Sequence, residues 1–225
     1  MVMTMTPLFG IAAARLLGSA AALLFLTVLA MAAARRIGTC ILAYGCQSAL
    51  LAAEVFAVAY VRHSAAAWVV GAMVLVVKTA ALPWALLFLV RRLGVAPRLE
   101  VRVAPMPSAF ATAALIFFSF TAVQGFASEL HARENLLAAS VALMLSGMWL
   151  MITHRLALMQ VLGVLVLENG IFLAALATTF GMPLVIEAGV TFDLLIGVLL
   201  MGLLAFRIRD TFEHLDVSRL RRLRG

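Results

Sequence analysis

Seven stretches of this chain run for about twenty residues or more with almost no charge, which leaves few ways for it to fold. A helix rising about 1.5 Å per residue needs about 20 apolar residues to cross a hydrocarbon core about 30 Å thick. The stretches cover approximately 8–34, 37–61, 65–90, 107–127, 135–153, 156–179 and 183–207. Short polar punctuation parts them: Arg35-Arg36, Arg62-His63-Ser64, a loop through Pro97, Pro105 and Pro107, His154-Arg155, and Gly181-Met182-Pro183. The apolar runs are continuous rather than alternating, so they predict helices and not strands. Charged residues make up 12% of the 225, about half the share that clothes a soluble domain. The expected fold is all-α, a polytopic membrane bundle of about seven transmembrane helices. The run from Gly18 to Leu29, followed by Ala30-Met31-Ala32, imitates a signal-peptide cleavage site but reads through as the first membrane helix.

A net charge of +7 would suit a nucleic-acid binder, but the positions of the charges exclude that class. Arg35, Arg36, Arg91, Arg92, Arg98, Arg102, Arg155 and six arginines from Arg207 onward fall on one side of the membrane, 13 of the 17 basic residues. Arg62 and Arg133 fall on the other. The positive-inside rule then places the N-terminus outside and the C-terminus in the cytoplasm. The expected partner of most of the surface is the lipid bilayer.

An ionisable group at mid-membrane costs roughly 2.5–3.5 kcal/mol on insertion scales, so each one asks for a reason. Lys78, the only lysine, lies well inside the third span. Glu168 occupies the middle of the sixth, within Leu167-Glu168-Asn169-Gly170, and Asp193 the seventh. Glu54 lies farther along the second span toward the outside, and Glu187 near the outer end of the seventh. Cys40, Gln47 and Glu54 recur every seven residues and share one helix face; Gly71 and Lys78 do the same on the third helix. A glycine there lets a neighbouring backbone approach the lysine's face. One account is structural: Lys78 neutralises a buried carboxylate, and Glu54 or Glu187 snorkels to an interface. The sharper account is a proton or ion pathway through Lys78, Glu168 and Asp193, with Glu54 and Glu187 as outer members. Burial in a low dielectric lets such groups exchange protons near neutral pH. Asn169, Gln47, Gln124 and Gln160 read as interhelical hydrogen-bonding residues.

No catalytic residue and no metal ligand set is expected on this chain. His63, His131, His154 and His214 fall at loop or tail positions without ligand spacing and are expected at the surface. Cys40 and Cys46 read as small core residues rather than a redox pair. A weak internal repeat sets Gln47-Ser48 against Glu168-Asn169, and suggests a three-helix unit with its cytoplasmic loop over 1–106. A joining helix follows over 107–134, then a second three-helix unit with a basic tail over 135–225.

Tyr44-Gly45-Cys46-Gln47-Ser48, Lys78-Thr79 through Pro83, Leu167-Glu168-Asn169-Gly170, Glu187-Ala188-Gly189 through Asp193, and Leu215-Asp216-Val217 resemble the hydrogenase-4 component E family. The likeness runs from about residue 38 onward. The last three helices are also similar to subunit K of NADH-quinone oxidoreductase. Asp193 stands at that family's second membrane glutamate, while its first falls at Leu165, with Glu168 about one turn away. The resemblance implies a non-catalytic subunit in the membrane arm of a group 4 nickel–iron hydrogenase, of the formate-hydrogenlyase type. Antiporter-like membrane subunits and peripheral hydrogenase subunits would be its partners, in the cytoplasmic membrane of a bacterium or archaeon. The nickel–iron site and iron–sulfur clusters would lie on those partners, and this chain would bind no cofactor. The alternatives are a subunit of a cation/proton antiporter or complex I-like assembly, and a purely structural membrane scaffold.

Overall fold

Two residues reverse the chain between its second and third spans. His63 takes the left-handed conformation (φ 50°, ψ 35°), and the Ser64 N–H donates to the Ala59 carbonyl at 3.2 Å, closing the helix end. The Ser64 hydroxyl then accepts from the Ala67 N–H and caps the next helix. This turn joins α2 (Ile37–Arg62) to α3 (Ala65–Met73) in a computed structural model that describes residues 22–92, 98–99, 101–126, 134–179, 189 and 197. Ahead of them lies α1 (Ala22–Ala33). After them come a π-helical segment (Val74–Ala81), α4 (Leu82–Arg92), α5 (Pro105–Phe126), α6 (Glu134–Thr153) and α7 (Ala157–Thr179).

Among the described residues every element is helical, and five helices are long and apolar enough to cross a membrane. They are Ile37–Val61, Ala65–Arg92, Pro105–Gln124, Asn135–Thr153 and Ala157–Thr178, close to five of the seven expected spans. The first expected span is helical only over Ala22–Ala33 among the described residues, and the seventh, apart from residues 189 and 197, lies outside them. The protein is a multi-pass membrane protein.

The third span is not the uniform helix its apolar run predicts. Across Val74–Ala81 it widens to π geometry, and the Leu82 N–H reaches back five residues to the Val77 carbonyl. Pro83 explains the wide turn. It has no N–H to give the Thr79 carbonyl, and its ring would clash there, so a local π adjustment absorbs the misfit. The Pro83 ring packs close to Gly45 of α2, where a Cβ would lie 3.4 Å from its Cγ.

Small residues set the tightest crossing, between α6 and α7. A Cβ on Gly147 would come within 2.6 Å of the Gly163 carbonyl, and one on Gly170 within 2.8 Å of the Ser140 carbonyl. Gly163 and Gly170 are seven apart, as are Ser140 and Gly147, so each pair holds one face and the backbones meet along it. Leu24, Met31, Ile41, Tyr44, Leu86, Leu143 and Leu162 fill the core where α1, α2, α4, α6 and α7 converge. α5 runs along α6, tied by the Trp149 Nε1–H donating to Ser108 Oγ at 3.2 Å. Its outer side shows Phe110 and Phe117 at 71% and 72% exposure, as a lipid-facing surface requires.

At one end the connections knit together. Arg36 and Arg98 form an antiparallel bridge, as do Val101 and His154, and the Arg102 N–H donates to the Thr153 carbonyl at 2.8 Å. Arginines expected on one side of the membrane are therefore in contact at one end. His154 is a correction: it is buried, with its backbone bridged to Val101, whereas His63 is exposed as expected. Cys46 is another. Cys40 is buried with its thiol near the Met31 carbonyl, but Cys46 faces outward, because six positions at about 100° each carry it off that face.

Candidate functional site

Glu168 is held in place by the α6–α7 seam. Gly163 and Gly170 press α7 onto α6 on one side, which turns Glu168 and Asn169 toward α2 and the π-helical segment on the other. There Lys78, 2% exposed, meets Glu168, 4% exposed, and its Nζ donates to Glu168 Oε1 at 2.8 Å. Nζ lies 3.4 Å from Asn169 Oδ1 and 5.7 Å from the centre of the Phe172 ring. The amide of Asn169 continues the path: its Nδ2 donates to Gln47 Oε1 at 3.1 Å and to Ser48 Oγ at 3.4 Å. Three spans thus meet at one polar cluster whose members are all buried.

The two dipeptides matched by the internal repeat, Gln47-Ser48 and Glu168-Asn169, touch each other across the α2–α7 interface. The Gln47 Nε2 has no hydrogen-bond partner among the described residues. The π segment bears directly on the cluster, because Lys78 lies inside it and its widened turn sets where the ammonium points.

Of the expected site residues, the structure brings together Lys78, Glu168, Asn169 and Gln47. Glu54 is buried on the same face of α2 as Cys40 and Gln47, and does not snorkel, yet no hydrogen bond among the described residues joins it to the cluster. Asp193 and Glu187 lie outside the described residues. Gln124 and Gln160 face outward and make no interhelical bond among the described residues, contrary to expectation. Gly71 is met not by backbone but by the Phe56 ring, 2.6 Å from where its Cβ would stand. Ser48 figures in the repeat but not among the expected site residues, and Phe172 in neither. Ser48 adjoins Gln47, and Phe172 follows Glu168 by four positions, which puts both on faces already marked as polar.

A multi-pass helical bundle with an ion pair and two amides buried between its helices is the class that the fold and the cluster define. The chain is 32% identical over 160 residues to the uncharacterized protein Rv0085 of Mycobacterium tuberculosis, covering 69% of this chain and 71% of that protein, and it belongs to that protein's family. It is 33% identical over 89 residues to hydrogenase-4 component E of Escherichia coli strain K12, which is 40% of this chain and 41% of that protein. Hydrogenase-4 component E of Shigella flexneri gives the same figures. No family model and no solved structure matches the chain.

Proposed function

We propose that this chain is a membrane-arm subunit of a hydrogenase-4-like complex, in which Lys78 and Glu168 take part in proton or ion transfer coupled to redox chemistry on other subunits. The buried contact between Lys78 Nζ and Glu168 Oε1 carries the reading. A proton passing from Nζ to Oε1 leaves a neutral amine beside a neutral acid. A low dielectric brings the charged and neutral pairs closer in energy than they are in water. Asn169 extends the polar path toward Gln47 and Ser48, and Asp193 is the further proton-carrying member that this reading assigns to the pathway. Partial similarity to hydrogenase-4 component E supports the choice of complex. In this reading the arginine-rich end faces the cytoplasm of a bacterial or archaeal cell, and the N-terminus lies outside. Nickel–iron and iron–sulfur chemistry would belong to partner subunits.

The same geometry favours a second reading, a structural pin, because Lys78 and Glu168 already neutralise each other. The test uses inverted membrane vesicles holding the whole complex, with proton uptake and donor oxidation followed together. Lys78→Met/Glu168→Gln removes both charges at once. A conducting pair predicts intact assembly and electron transfer with proton uptake lost. Full proton uptake in that double variant would leave only the pin.

A further inference from the structure

At the end where the inter-helix connections meet, Arg35, Arg36, Arg98, Leu99, Val101 and Pro105 line a cavity of about 430 Å³. That size falls in the range of about 300–1,000 Å³ that small-ligand sites occupy. Three arginines and three apolar residues line it.

The backbone holds the arginine-bearing segments together. Arg36 and Arg98 oppose each other in an antiparallel bridge, and the Leu99 N–H donates to the Arg35 carbonyl at 3.0 Å. Side chains directly opposed in such a pair have Cβ atoms about 4.5–5.5 Å apart and stand on the same side, where like charges destabilise each other. Among the described residues the one ion pair is Lys78–Glu168, elsewhere in the bundle, so no described carboxylate offsets these guanidinium groups. Two helices also begin here: α2, whose N-cap is Arg36 with no side-chain cap, and α5, whose first residue is Pro105. Neither carries an acid in its first turn, so no first-turn carboxylate offsets the positive end of either helix dipole. Backbone pairing thus concentrates positive charge around a space of ligand size.

We propose that this cavity binds the phosphate of an anionic phospholipid headgroup. Guanidinium groups match phosphate oxygens in a forked, charge-assisted geometry. Leu99, Val101 and Pro105 supply an apolar wall that a glycerol backbone and the start of an acyl chain would cover and a free phosphate ion would leave bare. The cavity lies at the ends of the membrane-spanning helices, the level at which lipid phosphates sit. Exposed arginines also attract anionic membranes without any site, by about 1 kcal/mol each, so the test must separate a site from a general field.

The full chain is reconstituted with phosphatidylglycerol or phosphatidylcholine, stripped in detergent, and its retained lipid counted by native mass spectrometry, with a parallel arm in inorganic phosphate alone. Arg36→Gln/Arg98→Gln is compared with Arg91→Gln/Arg92→Gln, which removes the same charge from the same end but away from the cavity. Both pairs keep the backbone groups that make the bridge; if the first double variant does not fold, Arg98→Gln alone carries the comparison. The expected result is one phosphatidylglycerol kept by the wild type and by the Arg91/Arg92 variant. The Arg36/Arg98 variant should lose it by roughly tenfold or more, with no phosphatidylcholine kept in any case. Equal loss in both variants would reduce the effect to surface attraction, and equal retention would mean that the cavity holds no lipid. Retention of inorganic phosphate in place of the lipid would also overturn the proposal.

Discussion

Lys78 and Glu168 stand 90 positions apart in the chain, and Lys78 Nζ lies 2.8 Å from Glu168 Oε1 in the folded protein. Neither side chain reaches solvent. Each charge is therefore tolerated because the other is present, and the fate of the pair depends on whether one or both are removed.

Lys78→Met alone should destabilise the bundle by about 3–5 kcal/mol, the range for stranding one member of a buried pair. Lys78→Met/Glu168→Gln should recover most of that loss. Denaturant titration of the reconstituted protein by far-UV circular dichroism checks both. Additive losses in the double variant would mean that the two groups do not interact.

Asn169→Leu removes the donor that reaches Gln47 Oε1 and Ser48 Oγ, together with the acceptor near Lys78. Interhelical bonds of this kind contribute about 0.6–2 kcal/mol in membranes. The expected loss lies in that range, read by the same titration. Gln47→Leu placed on top of Asn169→Leu should add little, since its partner is already gone.

Gly163→Val should act on the cluster from a distance. The α6 backbone occupies the space where the new side chain would go, so the helices must part, at a cost of about 1–3 kcal/mol for overpacking. A cysteine pair placed across α6 and α7 should cross-link more slowly in this variant than in the parent. An unchanged rate would show that the seam does not set the spacing.

His154 predicts a pH dependence outside the membrane spans. Burial lowers its pKa from the ordinary value of 6.5, partly opposed by the bond to the Leu150 carbonyl. A carbonyl only accepts, so Nδ1 carries the hydrogen, and Nε2, buried and without a partner among the described residues, is best left bare. The unfolded chain then binds a proton more readily than the folded one, so stability is full above pH 6.5 and declines as pH falls below it. His154→Gln should flatten the unfolding midpoint between pH 7 and pH 5 relative to the parent.

The membrane-spanning helices, and the residues that do not belong in them, are legible in the order of amino acids. Hydrocarbon demands about 20 apolar residues per crossing and penalises each buried charge, and both demands act locally along the chain. Lys78 and Glu168 stand out in the sequence for that reason, and Gln47 and Asn169 as polar residues inside apolar runs. Pro83 carried the signal for the π segment, but its effect depends on which carbonyl the missing N–H leaves behind. Only the tertiary structure decided which polar residues share a site, because that depends on how each helix is rotated about its own axis. The small-residue seam at Gly147, Gly163 and Gly170 turns Glu168 toward Lys78, while Glu54, equally polar in sequence, stays outside the hydrogen-bonded cluster. Rotation is fixed by close packing between segments distant in sequence, and a periodic apolar run weighs all its faces alike.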